Sequence, residues 1–252
     1  MGVVHFVGAG PGAADLITLR GAQLLSQADV VLYDALTDPA LRELAPNARW
    51  IDVGKRGFRD DSTGQAAIDA LLVRHARESA VVVRLKGGDP GVFGRLEEEL
   101  EALAAAGIAC SVVPGVTAAL AAAASTRRPL TRRGSGRSVA LTTAMTRSGA
   151  LRASRGADTE VFYMAGRQLA ALAPRLLDAG WKPDTPASVV SRVGWPDELH
   201  SDHDIATLGH AAVLHAGRPS VVTVGAGARP IGSGQAESAA ITRTGPVPVA
   251  KP

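Results

Sequence analysis

Four short apolar runs in the first ninety residues each break into residues that can do chemistry. Val3 to Val7 ends in Gly8-Ala9-Gly10-Pro11-Gly12, and Asp29-Val30-Val31-Leu32-Tyr33 ends at Asp34. Trp50-Ile51-Asp52-Val53 ends in Gly54-Lys55-Arg56-Gly57, and Val82-Val83-Arg84-Leu85-Lys86 ends in Gly87-Gly88-Asp89-Pro90-Gly91. β-Formers bounded by Gly, Pro and Asp predict strands that run into turns. Paired glycines at a strand end let backbone approach a ligand with no Cβ in the way. Asp34 offers a carboxylate able to accept a proton. Lys55 offers a cation able to anchor a carboxylate or take part in acid–base chemistry. Each has a plainer reading as a solvated loop residue or an ordinary turn. Ligands of open α/β sheets bind outside the carboxyl ends of the strands, so convergence of the four turns on one edge is what marks a site.

Other constellations are weaker. Gly8-x-Gly10-x-x-Ala13, with Asp29 or Asp34 about 20 residues further on, invites a dinucleotide reading. Pro11 argues against it, because a pyrophosphate is cradled by backbone N–H groups and proline has none. The six histidines show no clean metal-ligand spacing. The stretch Asp197-Glu198-Leu199-His200-Ser201-Asp202-His203-Asp204 could chelate but reads first as a solvated loop. No metal site is expected. Met164 follows the apolar Val161-Phe162-Tyr163, where core packing is the simplest role. No Ser-His-Asp or Cys-His nucleophile is suggested.

The elements that must position these groups alternate. Short strands separated by helices predict a parallel sheet covered on both faces. The helices are read after Asp15, which is expected to cap the first of them, from Thr63 to Glu78, from Glu97 to Ala106 and from Val116 to Ser125. After Ala124 the sequence turns to Arg, Gly and Ser. It then restarts with strands at Ser138–Thr143, Glu160–Met164, Ala187–Ser191 and Ser220–Val224, and a helix at Gln168–Ala179. The organisation expected is an N-terminal α/β domain over 1–114, a linker and helix over 115–136, a C-terminal α/β domain over 137–228, and a disordered tail over 229–252, rich in Gly, Ala, Ser and Pro.

The 252 residues suffice for two domains with separate cores. Net charge is +3, with arginines crowded at 127, 128, 132, 133 and 137. Aromatics make up 4% and none lies among these arginines, which disfavours nucleic-acid stacking and favours a small polycarboxylate partner. No run of about 18 apolar residues is present, and the start lacks the pattern of a signal peptide, so neither a membrane partner nor export is expected and the reading is cytoplasmic. The single cysteine, Cys110, cannot form an internal disulfide and is read as a small core residue.

The stretch Val82–Arg95 resembles the signature of uroporphyrinogen-III C-methyltransferases, within the tetrapyrrole methylase superfamily. So do Val7 to Gly12, Ala28 to Asp34, Val53-Gly54-Lys55-Arg56, Val112 to Ala119 and Val161 to Met164. The likeness covers about residues 3 to 227. It implies two α/β domains with the active site in the cleft between them, usually as a homodimer. The implied cofactor is S-adenosyl-L-methionine, released as S-adenosyl-L-homocysteine. Contacts are implied at Pro11, Gly87, Gly88, Asp89, Val92, Thr117, Ala118 and Met164, and through a looser match at Val193 and Ser220. Asp34 matches the proposed proton acceptor and Lys55 the proposed proton donor. The substrate implied is uroporphyrinogen III, methylated at C2 and C7 to precorrin-2 for sirohaem and cobalamin, with Arg84, Arg95, Arg127, Arg128 and Arg132 expected on its carboxylates. Departures fall at Leu96, Ala144 and Ala165, where the family usually has Gly, Gly and Gly. Rival readings are a methyltransferase of a later precorrin, a nicotinamide-binding Rossmann oxidoreductase and a protein that sequesters a tetrapyrrole.

Overall fold

The computed structural model describes residues 1–54, 64–145, 151 and 153–231. The chain forms two compact units that divide after Thr117, and each is built on a five-stranded sheet of its own. Lys55 and most of the expected tail lie outside the described residues.

Unit 1 alternates as its sequence predicts: β1 (Val3–Gly8), α1 (Leu19–Ser26), β2 (Val30–Tyr33), β3 (Arg49–Asp52), α2 (Gln65–Glu78), β4 (Val81–Lys86), α3 (Leu96–Ala105) and β5 (Cys110–Val113). The strands run in the order β3-β2-β4-β1-β5, and every pairing is parallel. Residue alternation along β4 sends Val82 into the core beneath α2 and α3, with Ile68, Leu72 and Leu103. Val83 and Leu85 enter the opposite core with Leu25 and Leu41. The register places Gly8 beside Lys86, Tyr33 beside Leu85 and Val7 beside Val113. The carboxyl ends of β1, β2, β4 and β5 therefore share one edge. Asp29 fixes the other edge by accepting the N–H groups of Ala80 and Val81 at 2.9 and 2.8 Å.

Two expectations change here. Thr18, not Asp15, caps α1, its hydroxyl accepting the Gly21 N–H at 3.1 Å. Cys110 is exposed, because β5 is an edge strand paired only with β1.

Unit 2 contains α4 (Ala118–Ser125), β6 (Val139–Thr143), β7 (Thr159–Tyr163), α5 (Leu169–Asp178), β8 (Pro186–Ser191), β9 (Leu199–Asp204), α6 (Ala211–Leu214) and β10 (Ser220–Gly225). Its sheet, in the order β6-β7-β10-β8-β9, is mixed rather than parallel. Only β6 and β7 run together, while β10 is antiparallel to both its neighbours. The stretch read as a solvated loop is β9, an edge strand paired with β8. Phe162, Leu169, Leu172, Leu176, Trp181 and Ile205 make up much of the core. No described helix is long and apolar enough to cross a membrane.

Candidate active site

The carboxyl edge of the first sheet is tied together by backbone. The turns after β1 and β4 form an antiparallel bridge, with Gly88 donating to the Gly10 carbonyl at 2.7 Å and Gly10 donating back at 3.3 Å. The turn after β5 packs onto both. A Cβ on Gly115 would lie 2.3 Å from the Gly88 oxygen and 2.7 Å from the Gly8 Cα, and one on Gly8 would lie 2.5 Å from the Gly115 Cα. Gly8 and Gly115 must therefore be glycine where three turns cross. Asp89 clamps the arrangement, its Oδ1 accepting the Gly91 N–H at 2.8 Å and its Oδ2 the Gly115 N–H at 2.9 Å.

Gly87 and Gly88 differ from those two in the space around them. A Cβ on Gly87 would meet only Leu36 Cβ, at 3.4 Å, and one on Gly88 only the Thr117 Cα, at 4.0 Å. Packing does not require glycine at Gly87, and its φ is not positive. The backbone there faces space that a ligand can fill. Pro11, Val92 and Thr117 belong to the same turns, and Thr117 is buried. The Gly8–Gly12 turn does not cradle a pyrophosphate: Ala9 N–H donates to the Lys86 carbonyl at 2.8 Å and Gly10 N–H to Gly88.

Asp34 stands directly after β2. Its backbone N–H bonds to the Leu85 carbonyl at 3.2 Å, and its carbonyl accepts both the N–H and the hydroxyl of Thr37, at 3.2 and 2.8 Å. Its Oδ1 accepts Arg84 Nη2 at 2.6 Å. No hydrogen bond from the described residues reaches Oδ2.

The expectation that Arg84 faces the substrate is corrected by burial. Arg84 is 2% exposed and all three of its nitrogens are engaged. Nε donates to Glu99 Oε1 at 3.0 Å, and Nη1 donates to the Leu85 and Leu32 carbonyls at 3.2 and 3.4 Å. Lys86 Nζ meets Glu99 Oε2 at 2.7 Å. Burial pulls the Arg84 pKa down, but the carboxylates of Asp34 and Glu99 outweigh it and hold the guanidinium above its ordinary value. Burial and then the neighbouring Arg84 charge lower Lys86, against the pull of Glu99. Sequence reasoning missed Glu99. It sits in the apolar stripe of α3, between Leu96 and Leu103, and a carboxylate at that spacing opposite two cations of one strand face is the signal.

Arg128 is also turned inward, with both guanidinium ends on the Asp202 carboxylate and Nη1 donating to the Ala228 carbonyl at 3.0 Å. Arg95 and Arg127 are exposed cations, both in the left-handed region, at φ 55° each. Arg95 forks onto Glu98.

In unit 2, Met164 follows β7 with φ 57° and is 40% exposed, so it is not core packing. The pairings Val222 with Phe162 and Ser220 with Ser191 put Met164, Val193 and Ser220 at one edge of that sheet. Val193 and Ser220 are buried there, and the Ser220 hydroxyl donates to the Arg218 carbonyl at 2.9 Å. Ala118, at the start of α4, is half-buried. Arg132 lies elsewhere. It lines a cavity of about 510 Å³ with Asp158, Trp181 and Gly225, at the edge of the sheet opposite Met164. The strand β9 builds no nucleophile relay: Ser188 Oγ and Asp202 Oδ1 both meet the same ring nitrogen of His200, at 3.0 Å each.

The family described as Tetrapyrrole (Corrin/Porphyrin) Methylases matches residues 3–209. A siroheme synthase of Neisseria meningitidis serogroup C is 45% identical over 230 residues, 89% of this chain and 48% of that protein. The chain thus spans about half the length of the curated siroheme synthases it matches first. A uroporphyrinogen-III C-methyltransferase of Synechocystis is 41% identical over 235 residues, 90% of this chain and 89% of that one. Among solved structures, a uroporphyrin-III C-methyltransferase of Thermus thermophilus, complexed with S-adenyl homocysteine, matches with a TM-score of 0.78 at 37% identity, covering 89% of this chain and 97% of that one. A cobalt precorrin-4 methyltransferase matches with a TM-score of 0.78 at 29% identity, covering 90% and 96%. With the five parallel strands and the glycine crossing at their carboxyl edge, these likenesses settle the family: the chain belongs to the tetrapyrrole methylases.

Proposed function

We propose that the chain is an S-adenosylmethionine-dependent C-methyltransferase that acts on uroporphyrinogen III at C2 and C7, giving precorrin-2 for sirohaem and cobalamin. The observation that carries the reading is the open backbone at Gly87-Gly88 beside a carboxylate, Asp34, one of whose oxygens has no partner among the described residues. Leu36, two residues beyond Asp34, is the side chain nearest Gly87, so the carboxylate and the open backbone flank the same turn. The donor set is backbone and apolar, with Asp89 already turned onto protein N–H groups, and this suits a cofactor recognised by shape and main-chain contacts rather than through a metal or a phosphate. Bound there, S-adenosylmethionine supplies a methyl group already activated by its sulfonium.

The protein's own work is then positioning and exclusion of water. Gly87 and Gly88 let the cofactor lie against main chain. Pro11, Asp89, Val92 and Thr117 shape its seat. Ala118, Met164, Val193 and Ser220 remain part of the proposal on the strength of the resemblance. Methylation leaves the attacked ring carbon quaternary and the macrocycle cationic; Asp34 Oδ2 accepts the proton that the macrocycle then loses from another position, and Lys55 donates one where the macrocycle takes it up. Arg95 and Arg127 are the exposed cations offered to substrate carboxylates. The homodimer and a cytoplasmic setting belong to the same reading.

The test is transfer of labelled methyl from S-adenosylmethionine to uroporphyrinogen III, with the product weighed. Gain of two methyl groups supports the reading. No label in that macrocycle, with label in a later precorrin, moves the chain to the second acceptor class, which the likeness to the precorrin-4 enzyme favours next. No label in any tetrapyrrole sinks both.

A further inference from the structure

We propose that Arg84 is the positioning residue for Asp34, held in turn by Glu99 and Lys86, so that a buried row of alternating charges aims the carboxylate. The inference rests on the reading above, in which Asp34 takes a proton. Three features carry it.

The first is where the charges lie. Val82, Arg84 and Lys86 point to one face of β4, the face covered by α2 and α3. Two cations therefore follow an apolar residue into a core. Arg84 and Lys86 are 2% exposed and Glu99 is fully buried. Burying three ionised groups is costly, and apolar residues of the same volume commonly stabilise a fold as well or better. Stability alone gives no reason for such a row.

The second is its order. Lys86 meets Glu99 at 2.7 Å, Glu99 meets Arg84 at 3.0 Å, and Arg84 meets Asp34 at 2.6 Å. The formal charges alternate and sum to zero. Each partner holds the next, and the guanidinium is further fixed by the Leu85 and Leu32 carbonyls. All three nitrogens of Arg84 are engaged on protein acceptors, four hydrogen bonds in all.

The third is where the row ends. Lys86, Glu99 and Arg84 are sealed, while the Asp34 side chain is 31% exposed. One carboxylate oxygen is bound and, among the described residues, the other has no partner. A rigid interior thus fixes one end of a group whose other end meets the ligand side. This is what preorganisation of a proton acceptor requires, since displacement by about 1 Å can lower a rate 100-fold.

The test compares Arg84→Lys, Arg84→Gln with Glu99→Gln, and Asp34→Asn in the full chain. Steady-state turnover of uroporphyrinogen III and equilibrium binding of S-adenosylhomocysteine are measured on each. The double variant keeps the buried charge balanced, because Lys86 and Asp34 remain. The expected result is a fall in kcat of about 10- to 100-fold with KM for both substrates changed less than about threefold. S-Adenosylhomocysteine binding stays at the wild-type value, and Arg84→Lys recovers part of kcat. A rise in KM for the macrocycle at unchanged kcat overturns the proposal and returns Arg84 to a substrate contact. Wild-type kcat in the double variant also overturns it, provided Asp34→Asn is inactive. Loss of homocysteine-product binding along with kcat in Arg84→Lys marks a merely structural role and overturns it too. Undiminished turnover by Asp34→Asn removes the underlying reading instead. If the double variant does not fold, Arg84→Lys alone decides, since it keeps the charge and loses the fork.

Discussion

Replacing Gly87 by alanine adds one methyl group to backbone that protein atoms leave open. The new Cβ would stand 3.4 Å from Leu36 Cβ and 3.9 Å from the Leu36 carbonyl, both ordinary contacts. With no positive φ to satisfy, the change in folding free energy is within about 1 kcal/mol and can be favourable, which limits the shift in melting temperature to about 4 °C in a chain of this size. A cofactor lying against that main chain is a different matter. The methyl carbon stands about 1.5 Å out from Cα, so a ligand atom in contact must retreat by a comparable distance. Losing one or two main-chain contacts at about 1–1.5 kcal/mol each weakens binding roughly 10- to 100-fold. Gly115→Ala works the other way. Its Cβ would meet the Gly88 oxygen at 2.3 Å and the Gly8 Cα at 2.7 Å. These are backbone atoms, so two turns must separate by about 1 Å, at about 1–3 kcal/mol or more of stability. Calorimetric titration with S-adenosylhomocysteine and thermal unfolding of both variants read the two effects separately. Wild-type affinity in Gly87→Ala would refute the seat, and wild-type stability in Gly115→Ala would refute the crossing.

Other outcomes follow from the charged interiors. His215 is fully buried between Ser191 and Ser201, at 2.8 Å on each ring nitrogen. Burial, then the nearby His203 and Arg218, push its pKa down to about 4. The unfolded chain takes up this proton first, so stability is lost as pH falls from about 6.5 towards 4, by on the order of 3 kcal/mol in all. Denaturant titrations at several pH values check this, and His215→Gln is expected to remove that component of the slope. Glu99→Gln leaves two buried cations facing Asp34 alone and is expected to destabilise by about 3–5 kcal/mol. Adding Arg84→Gln recovers part of that loss, which a double-mutant cycle on unfolding free energies detects. Arg128→Met leaves the Ala228 carbonyl without this donor and Asp202 with His200 alone, and is expected to lower stability by about 1–3 kcal/mol by denaturant unfolding, without affecting S-adenosylhomocysteine binding.

Much of unit 1 is legible in the sequence for a plain reason. Runs such as Val30-Val31-Leu32 and Val82-Val83 are buried on both faces of a parallel sheet, and such strands read as continuous apolar stretches. The glycine turns are legible for the same kind of reason, since Gly8, Gly88 and Gly115 answer backbone demands that leave a mark in composition. The strand β9 is not legible. Its residues Leu199 to Asp204 are polar on both faces, and their partners, Ser188 for His200 and His215 for Ser201, come from distant elements. Arg84 shows a second kind of blindness. A cation beside a glycine turn reads as facing a ligand, and only the placement of Glu99 under β4 turns it inward. Cys110 reads as core because its neighbours are apolar, but an edge strand leaves it exposed.

The crossing of Gly8, Gly88 and Gly115 narrows how this scaffold can change. Gly8 and Gly115 are hemmed in by each other's main chain and by the Gly88 carbonyl, and Gly88 itself sits at φ 72°, so no single exchange there is neutral and a compensating exchange at a second one adds bulk instead of removing it. The paths open to variation avoid that spot. Change has to come through side chains away from it, while the crossing itself behaves as a fixed pin for the turns that it joins.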